Sequence, residues 1–328
     1  MVARTETIPN AKETESSPQV DTVDFAQQAK DPKGFGEALV NSLRETGFAI
    51  ITGHTIPQDE ITAMEAAAKN FFDLPTETKS QYAMPECHYQ RGYSPFGQEN
   101  AKGRRAPDLK EFWHVGRSTI PGLPGTPDVD EAPEFTAVSH RLFQAMDDFA
   151  CQLMVSVGET LEMSEADMNA ALVNGNSILR LLHYPPIDGD PDVVEGEVQV
   201  RAAAHEDINL LTILLGAEEA GLQVKHRSGQ WMAVNPPEGA VVINAGDMLQ
   251  RLTGGELPST THRVVNPAPE RASHARYSMP YFLHPANDFV LAALPSCLSR
   301  GAKAEPPITA QGYLKERLEE IGLKKAKV

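Results

Sequence analysis

Residues 203–215 read AAHEDINLLTILL. In an extended strand alternate side chains share a face, so His205 and Asp207 at a strand end can meet one metal ion. The apolar run that follows is of the kind that fills the inside of a sheet. The same texture continues on both sides. Short stretches rich in Val, Ile and Leu recur from residue 177 onward, separated by Gly, Pro, Asp and Asn. They are SILRLLHYPP (177–186), VQVRAAAHED (198–207), NLLTILLG (209–216), GLQVKH (221–226), QWMAVNPP (230–237), AVVINAGDML (240–249), THRVVNP (261–267) and ARYSMPYFL (275–283). Eight short strands with turn signals between them predict a mainly β fold with flanking helices, a sandwich or barrel of jelly-roll type.

Upstream the periodicity is helical. Phe35, Leu39 and Leu43 predict a helix over 33–46, ended by Gly47. FAIITGH (48–54) predicts a buried strand, with a shorter edge strand at 22–25. Pro57, Asp59 and Glu60 open a second helix that runs to about Phe72. Residues 84–130 show no clear period and read as an irregular segment, either a functional loop or a surface excursion. Over 133–162 the residues Phe135, Val138, Leu142, Met146, Phe149, Leu153, Val157 and Leu161 form one apolar stripe, expected to support a sheet from behind. Residues 308–322 return to helix. The expected organisation is a disordered tail (1–20), an α-rich N-terminal region (21–175), a β core (176–290) and a C-terminal helical extension (291–328).

The chain has 328 residues and a net charge of −16. A nucleic-acid binder normally carries a basic surplus or stripe, so nucleic acid is not the expected partner, and an anionic membrane is disfavoured for the same reason. No run approaches the length of a membrane span, and the first twenty residues lack the apolar stretch of a signal peptide. Cys87, Cys151 and Cys297 lie far apart and form no CxxC pair, which fits a reducing, cytoplasmic setting. Oligomeric state is not legible.

The H-x-D pair alone carries little weight. Ten histidines and 45 acidic residues in 328 positions make a chance H-x-[DE] expected roughly 1.4 times. Its companions add the weight. His262, 55 residues beyond Asp207, opens THRVV and completes two histidines and a carboxylate. This is the facial triad of non-haem Fe(II) oxygenases, which leaves open coordination positions. Zinc hydrolases use the same ligand types, though often as HExxH on a helix, a motif this chain lacks. Arg276 and Ser278, in Arg276-Tyr277-Ser278, share a strand face, and a guanidinium fork with a hydroxyl can grip a carboxylate. A surface ion pair is the ordinary alternative for Arg276. His183 points away from the face of Tyr184, and His226, His274 and His284 have no carboxylate companion at ligand spacing. Asn244, Gly246 and Asp247 read as structural, with Gly246 permitting a turn and Asp247 bonding backbone amides. Trp231 reads as a cap on the barrel. Arg91, Tyr93 and Phe112 either anchor the 84–130 segment or reach a substrate.

The ordered set His205-Glu206-Asp207, Leu211-Thr212-Ile213-Leu214-Leu215, Gly221-Leu222-Gln223-Val224, Trp231-x-x-Val234-x-Pro236, Asn244-x-Gly246-Asp247, Ser259-x-x-His262-Arg263-Val264 and Arg276-x-Ser278 resembles the isopenicillin N synthase-like branch of the 2-oxoglutarate and Fe(II)-dependent oxygenases. GFAIITGHTI (47–56), RGYSPFGQE (91–99) and DLKEFWHVG (108–116) extend the likeness upstream. The resemblance implies a double-stranded β-helix, iron on His205, Asp207 and His262, and the distal carboxylate of 2-oxoglutarate on Arg276 and Ser278. It places Tyr184 near the co-substrate or a substrate carboxylate. Leu182 stands where many plant relatives have Asn, so the detail of co-substrate binding departs from theirs. The implied activity is O2-dependent hydroxylation, desaturation or cyclisation of a small molecule, with 2-oxoglutarate converted to succinate and CO2. An oxidase of isopenicillin N synthase or ACC oxidase type, independent of 2-oxoglutarate, is the alternative within the branch. A binding protein on a retained scaffold is the alternative outside it.

Overall fold

The computed structural model describes residues 19–98, 108–186, 193–194, 197–198, 202–215, 221–265 and 273–320. Its strands, in chain order, are β1 (Thr22–Asp24), β2 (Phe48–Thr52), β3 (Gly92–Ser94), β4 (Glu111–Gly116), β5 (Ile178–Tyr184), β6 (Val193–Val194), β7 (Glu197–Val198), β8 (Ala202–His205), β9 (Leu211–Leu215), β10 (Leu222–Lys225), β11 (Trp231–Ala233), β12 (Val241–Ala245), β13 (His262–Val264), β14 (Arg276–Ser278), β15 (Pro280–Leu283), β16 (Val290–Leu291) and β17 (Ile308–Thr309). The helices are α1 (Pro32–Thr46), α2 (Gln58–Phe72), α3 (Thr76–Ser80), α4 (Pro133–Thr160), α5 (Glu165–Leu172), α6 (Asp247–Leu252), α7 (Pro295–Ser299) and α8 (Ala310–Glu320).

Two sheets form the core. The major sheet runs β1-β2-β12-β9-β15-β5-β4-β3, with β14 also paired to β5; the minor sheet runs β11-β10-β13-β8. Phe48, Ile50 and Val242 of the major sheet pack against Leu222, Val224 and Val234 on the minor-sheet side, an apolar layer of the kind that joins facing sheets. The opposite face of the major sheet is covered by α1, α2 and α4. The whole α4 stripe from Phe135 to Leu161 is buried there as core. This double-stranded β-helix has the fold class expected from the run of short strands.

Local sequence explains the joins. Asp31 caps α1 by accepting from the Gly34 amide, and Pro32 takes a first-turn position where its missing N–H costs nothing. Gly47 ends α1 at φ 75°, and a Cβ there would lie 2.3 Å from Thr260 Oγ1. Both the left-handed backbone and the close approach require glycine.

Three expectations need correction. The 84–130 segment is not wholly irregular, because it contributes β3 and β4 to the major sheet. All six residues of β4 are buried, and a strand covered on both faces shows no alternation to read. The strand at 48–52, expected within the α-rich N-terminal region, is a member of the major sheet of the core, between β1 and β12. AVVINAGDML divides into β12 and α6, and ARYSMPYFL into two strands around Met279. Residues 1–18 of the expected tail lie outside the described residues.

Candidate metal and co-substrate site

His205 ends β8, Asp207 follows two residues later, and His262 opens β13, directly paired with His205 in the antiparallel ladder. One ligand atom from each lies within 4.8 Å of the other two. His205 Nε2 is 3.8 Å from Asp207 Oδ1, and His262 Nε2 is 3.8 Å from Asp207 Oδ2. Each ring is oriented from behind by its other nitrogen. His205 Nδ1 lies 2.7 Å from the Ala203 carbonyl and His262 Nδ1 lies 3.1 Å from the Thr260 carbonyl. With Nδ1–H donating, each Nε2 presents its lone pair to the common centre. Burial, aided by His262, pushes the His205 imidazole down to about 4, so it is neutral at pH 7. Burial would push the Asp207 carboxyl up, but His262, His205, Asn244 and Thr212 hold it below the usual range.

Thr212 Oγ1 (2.6 Å) and Asn244 Nδ2 (2.8 Å) both donate to Asp207 Oδ2. Asn209 Nδ2 donates in turn to Thr212 Oγ1 at 2.9 Å. Asn244 is therefore tied to the site itself, beyond the structural part expected of it. The signal was in the sequence: in VVINA it alternates with Val242, whose side chain faces the minor sheet. Gly246 has φ −101°, so no turn demands glycine. A Cβ there would instead lie 2.2 Å from the Asn209 carbonyl oxygen, and close packing is the reason. The Asp247 carboxylate pairs with Arg317 of α8 at 3.0 Å rather than with nearby backbone amides.

Strand registers place the other expected residues. Thr212 pairs with Asn244 and Phe282; Phe282 pairs with Ile178; Leu182 pairs with Ser278 and Tyr184 with Arg276. Paired residues point to one side of a sheet. Arg276, Ser278 and Tyr184 thus share the face that carries Thr212 and Asn244. Arg276 and Ser278 are buried, and the Arg276 guanidinium lies 5.3 Å from the centre of the Tyr184 ring. His183 and Tyr277 take the opposite face, stacked 5.0 Å apart.

Beside the triad lies a cavity of about 1060 Å³. Ile208 and Asn209, next in the chain after Asp207, form part of its wall, and α8 closes one side with Leu314 and Leu318. Phe112 lines it. Arg91 and Tyr93 are fully buried away from it, Arg91 against Gly116 and Tyr93 on Glu111, so those two anchor the segment. His284, which has no carboxylate companion at ligand spacing, lines the cavity, and burial pushes it down to about 4. Trp231 lies under Arg263, 4.0 Å from its guanidinium. His226 sits in a turn against Ser228, and His274 is exposed.

Two imidazoles and a carboxylate converging beside a lined cavity within a double-stranded β-helix define the class of a mononuclear non-haem metal enzyme. Comparison with known proteins narrows the class. Residues 20–135 match the family model of the N-terminal region of the non-haem dioxygenase in morphine synthesis, and residues 175–285 match that of the 2OG-Fe(II) oxygenase superfamily. The chain is 33% identical over 298 residues to the 2-oxoglutarate-Fe(II) type oxidoreductase hxnY of Emericella nidulans, covering 84% of this chain and 83% of that one. It is 30% identical over 316 residues to the proline hydroxylase buaE of Petromyces alliaceus, covering 92% and 98%. Among solved structures, a 2OG-Fe(II) oxygenase family protein from Caulobacter crescentus superposes with TM-score 0.82 at 43% identity, over 92% of this chain and 99% of that one. Neurospora crassa T7H in complex with alpha-KG and thymine superposes with TM-score 0.81 at 28% identity, over 92% and 96%. The chain belongs to the 2OG-Fe(II) oxygenase superfamily. It is a 2-oxoglutarate-dependent non-haem iron dioxygenase, with Fe(II) and 2-oxoglutarate as its cofactor and co-substrate. No helix among the described residues is long and apolar enough to cross a membrane.

Proposed function

We propose that His205, Asp207 and His262 hold Fe(II), that Arg276 and Ser278 grip the distal carboxylate of 2-oxoglutarate, and that the enzyme hydroxylates a small organic molecule in the adjoining cavity. The carrying observation is the convergence of the three ligand atoms within 4.8 Å. Two nitrogens and a carboxylate oxygen suit a divalent iron and leave coordination positions open. When bound, iron with 2-oxoglutarate and O2 supplies the oxidising power, and 2-oxoglutarate leaves as succinate and CO2.

The protein's residues do the positioning. Thr212 and Asn244 both donate to Asp207 Oδ2 and so hold the carboxylate against the two imidazoles, where it would ligate the metal. The Ala203 and Thr260 carbonyls fix the two imidazoles in the tautomer that ligates through Nε2. Arg276, buried beside Tyr184, offers a planar fork to an anion, and Ser278 on the same face adds a hydroxyl. Tyr184 braces that guanidinium and borders the co-substrate. Phe48 of the apolar layer between the sheets packs edge-on against the His262 ring. The cavity accommodates a small molecule, and the acidic net charge disfavours nucleic acid. Three thiols without disulfide partners fit a reducing, cytoplasmic setting.

The test is anaerobic addition of Fe(II) and 2-oxoglutarate while recording the weak visible charge-transfer band of the chelated pair. The band is expected in the native protein, is weakened in Arg276→Ala and is lost in His262→Ala. Iron binding without a band would favour the oxidase that needs no 2-oxoglutarate. Absence of iron binding by folded protein would overturn the assignment.

A further inference from the structure

Three buried polar side chains of the cavity wall, His114, Asn176 and Asn209, are committed to the protein. His114 bonds the Tyr89 carbonyl and Arg180, Asn176 bonds Arg91 and Gln90, and Asn209 donates to Thr212 and to the Leu211 carbonyl. His284 is different. Its Nδ1 lies 3.3 Å from the Phe282 carbonyl, and among the described residues no group is hydrogen-bonded to Nε2. With Nδ1–H donating to that carbonyl, Nε2 carries a lone pair and no proton. Burial pushes the imidazole down to about 4, so the lone pair stays free of a proton at pH 7. The ring is half-buried and lines the cavity, and with Nδ1 turned back on its own strand the Nε2 edge is the one left to the cavity.

The ring stands at the triad's end of the cavity and is set firmly. Phe282 pairs with Thr212, the residue that bonds Asp207, and His284 lies two residues beyond Phe282. The Leu283 carbonyl accepts from the Leu210 amide at 2.9 Å, which holds the His284 segment against the chain leading on from Asp207. Asp207 is near enough for its charge to act on the ring. The His284 amide donates to Ser177 Oγ at 3.2 Å. A Cβ on Gly175 would collide with the His284 carbonyl oxygen, so glycine lets the two chain segments close on each other. Phe112, Ile178, Ile208 and Phe282 supply apolar wall around this acceptor.

We propose that His284 accepts a hydrogen bond from the substrate through Nε2, and that the oxidised molecule has an apolar body and an O–H or N–H group directed at this end of the cavity. This rests on the cavity being the substrate site of the dioxygenase described above. An apolar wall holds a body without fixing its rotation, whereas one directional bond beside the metal site selects which C–H bond stands nearest the metal. His284 is in this sense a substrate-positioning residue. A molecule of the same shape without the donor would cover Nε2 and leave it unpaired, and that penalty is the source of discrimination.

The test uses the protein loaded anaerobically with Fe(II) and 2-oxoglutarate, its charge-transfer band recorded first. Near-isosteric pairs are titrated by calorimetry: indole against benzofuran, phenol against toluene, and cyclohexanol against methylcyclohexane. For at least one pair, the affinity of the donor relative to its analogue is expected to be about fivefold higher in the native protein than in His284→Leu, as one net hydrogen bond gives. His284→Gln, whose Oε1 is an acceptor, is expected to keep part of that preference, with the affinity for 2-oxoglutarate read from the band unchanged in both variants. The Ser94 hydroxyl is buried in the same wall without a partner, and Ser94→Ala is expected to leave the preference intact. A second measurement needs no altered side chain. In native protein loaded with Zn(II) and 2-oxoglutarate and carrying isotopically labelled histidine nitrogens, the unprotonated Nε2 resonance of His284 is expected to move on adding the donor and to stay in place with its analogue. No binding of any donor, a preference shared equally by His284→Leu, a preference lost in Ser94→Ala instead, or a stationary Nε2 resonance would overturn the proposal. Absence of the band in the native protein, seen before any probe is added, would overturn the underlying assignment and this proposal with it.

Discussion

At the residue scale the centre depends on how one carboxylate is held. Asp207 is buried, and burial alone would favour its neutral form. Two neutral donors on Oδ2 and two imidazoles nearby reverse that balance, which keeps an anion available where a divalent cation needs one. Asn244 reaches Asp207 across 37 residues of chain, from the middle of the major sheet. Asn244→Ala would remove one of the two donors without opening a large cavity. Partners of this kind are typically worth about ten- to a hundredfold in metal affinity. A fall within that range is expected in Fe(II) or Co(II) titrations, with circular dichroism unchanged. Unaltered metal affinity would show that Thr212 alone suffices.

At the element scale, β4 is held by a polar knot on the helix-covered face of the sheet. The Glu111 carboxylate accepts from Lys79 Nζ at 2.8 Å, from the Tyr93 hydroxyl and from His183, whose Nδ1 is 2.7 Å away. Lys79 also donates to the Phe72 carbonyl at 2.7 Å, which ties the end of α2 to β4. His183 stacks on Tyr277, the residue between Arg276 and Ser278. The knot thus braces the back of the strand pair that carries Arg276 and Ser278, the residues proposed to hold the co-substrate. Removing one member of a buried pair strands the other, at a cost of about 3–5 kcal/mol. Lys79→Met is expected to lose stability on that order in urea unfolding at pH 7. Burial would push the Glu111 carboxyl up, but His183, Lys79 and Tyr93 hold it below its ordinary value of 4.5. Its contribution is therefore full above about pH 4.5 and is lost as pH falls through the lower folded value. Glu111→Gln should flatten the stability–pH curve in that acid window; an unchanged slope would place the acid sensitivity elsewhere.

Over the whole molecule, the proposed metal centre joins the two sheets. His205 and His262 belong to the minor sheet, while Thr212 and Asn244, which hold Asp207, belong to the major sheet. The Phe48 ring of the major sheet meets the His262 ring edge-on at 5.4 Å. An ion bound here binds only the folded chain, and such a ligand at a hundred times its dissociation constant adds about 2.7 kcal/mol. Denaturant unfolding with and without Fe(II), under anaerobic conditions, should show a gain of that order in the native protein and none in His262→Ala. An equal gain in both would mean that the metal binds elsewhere. Helix α8 closes the cavity as part of the same body, held to the start of α6 by the Arg317–Asp247 pair.

The class of fold and the candidate ligands are legible in the linear chain, because both are written in short-range patterns. Alternation and turn residues mark strands, 3.6-residue periodicity marks α1, α2 and α4, and H-x-D needs only a strand to bring two ligands to one face. The linear pattern was weakest where burial removed its contrast. Strand β4 shows no alternation because both its faces are covered. Which distant residues share a face emerges in three dimensions alone: Asn244 bonds to Asp207, the Asn209 carbonyl requires Gly246, and Arg180 Nε donates to His114 Nε2 on the cavity wall. Those relations depend on cross-strand registers between segments tens of residues apart. No local propensity encodes them, because they exist only once the sheet has closed.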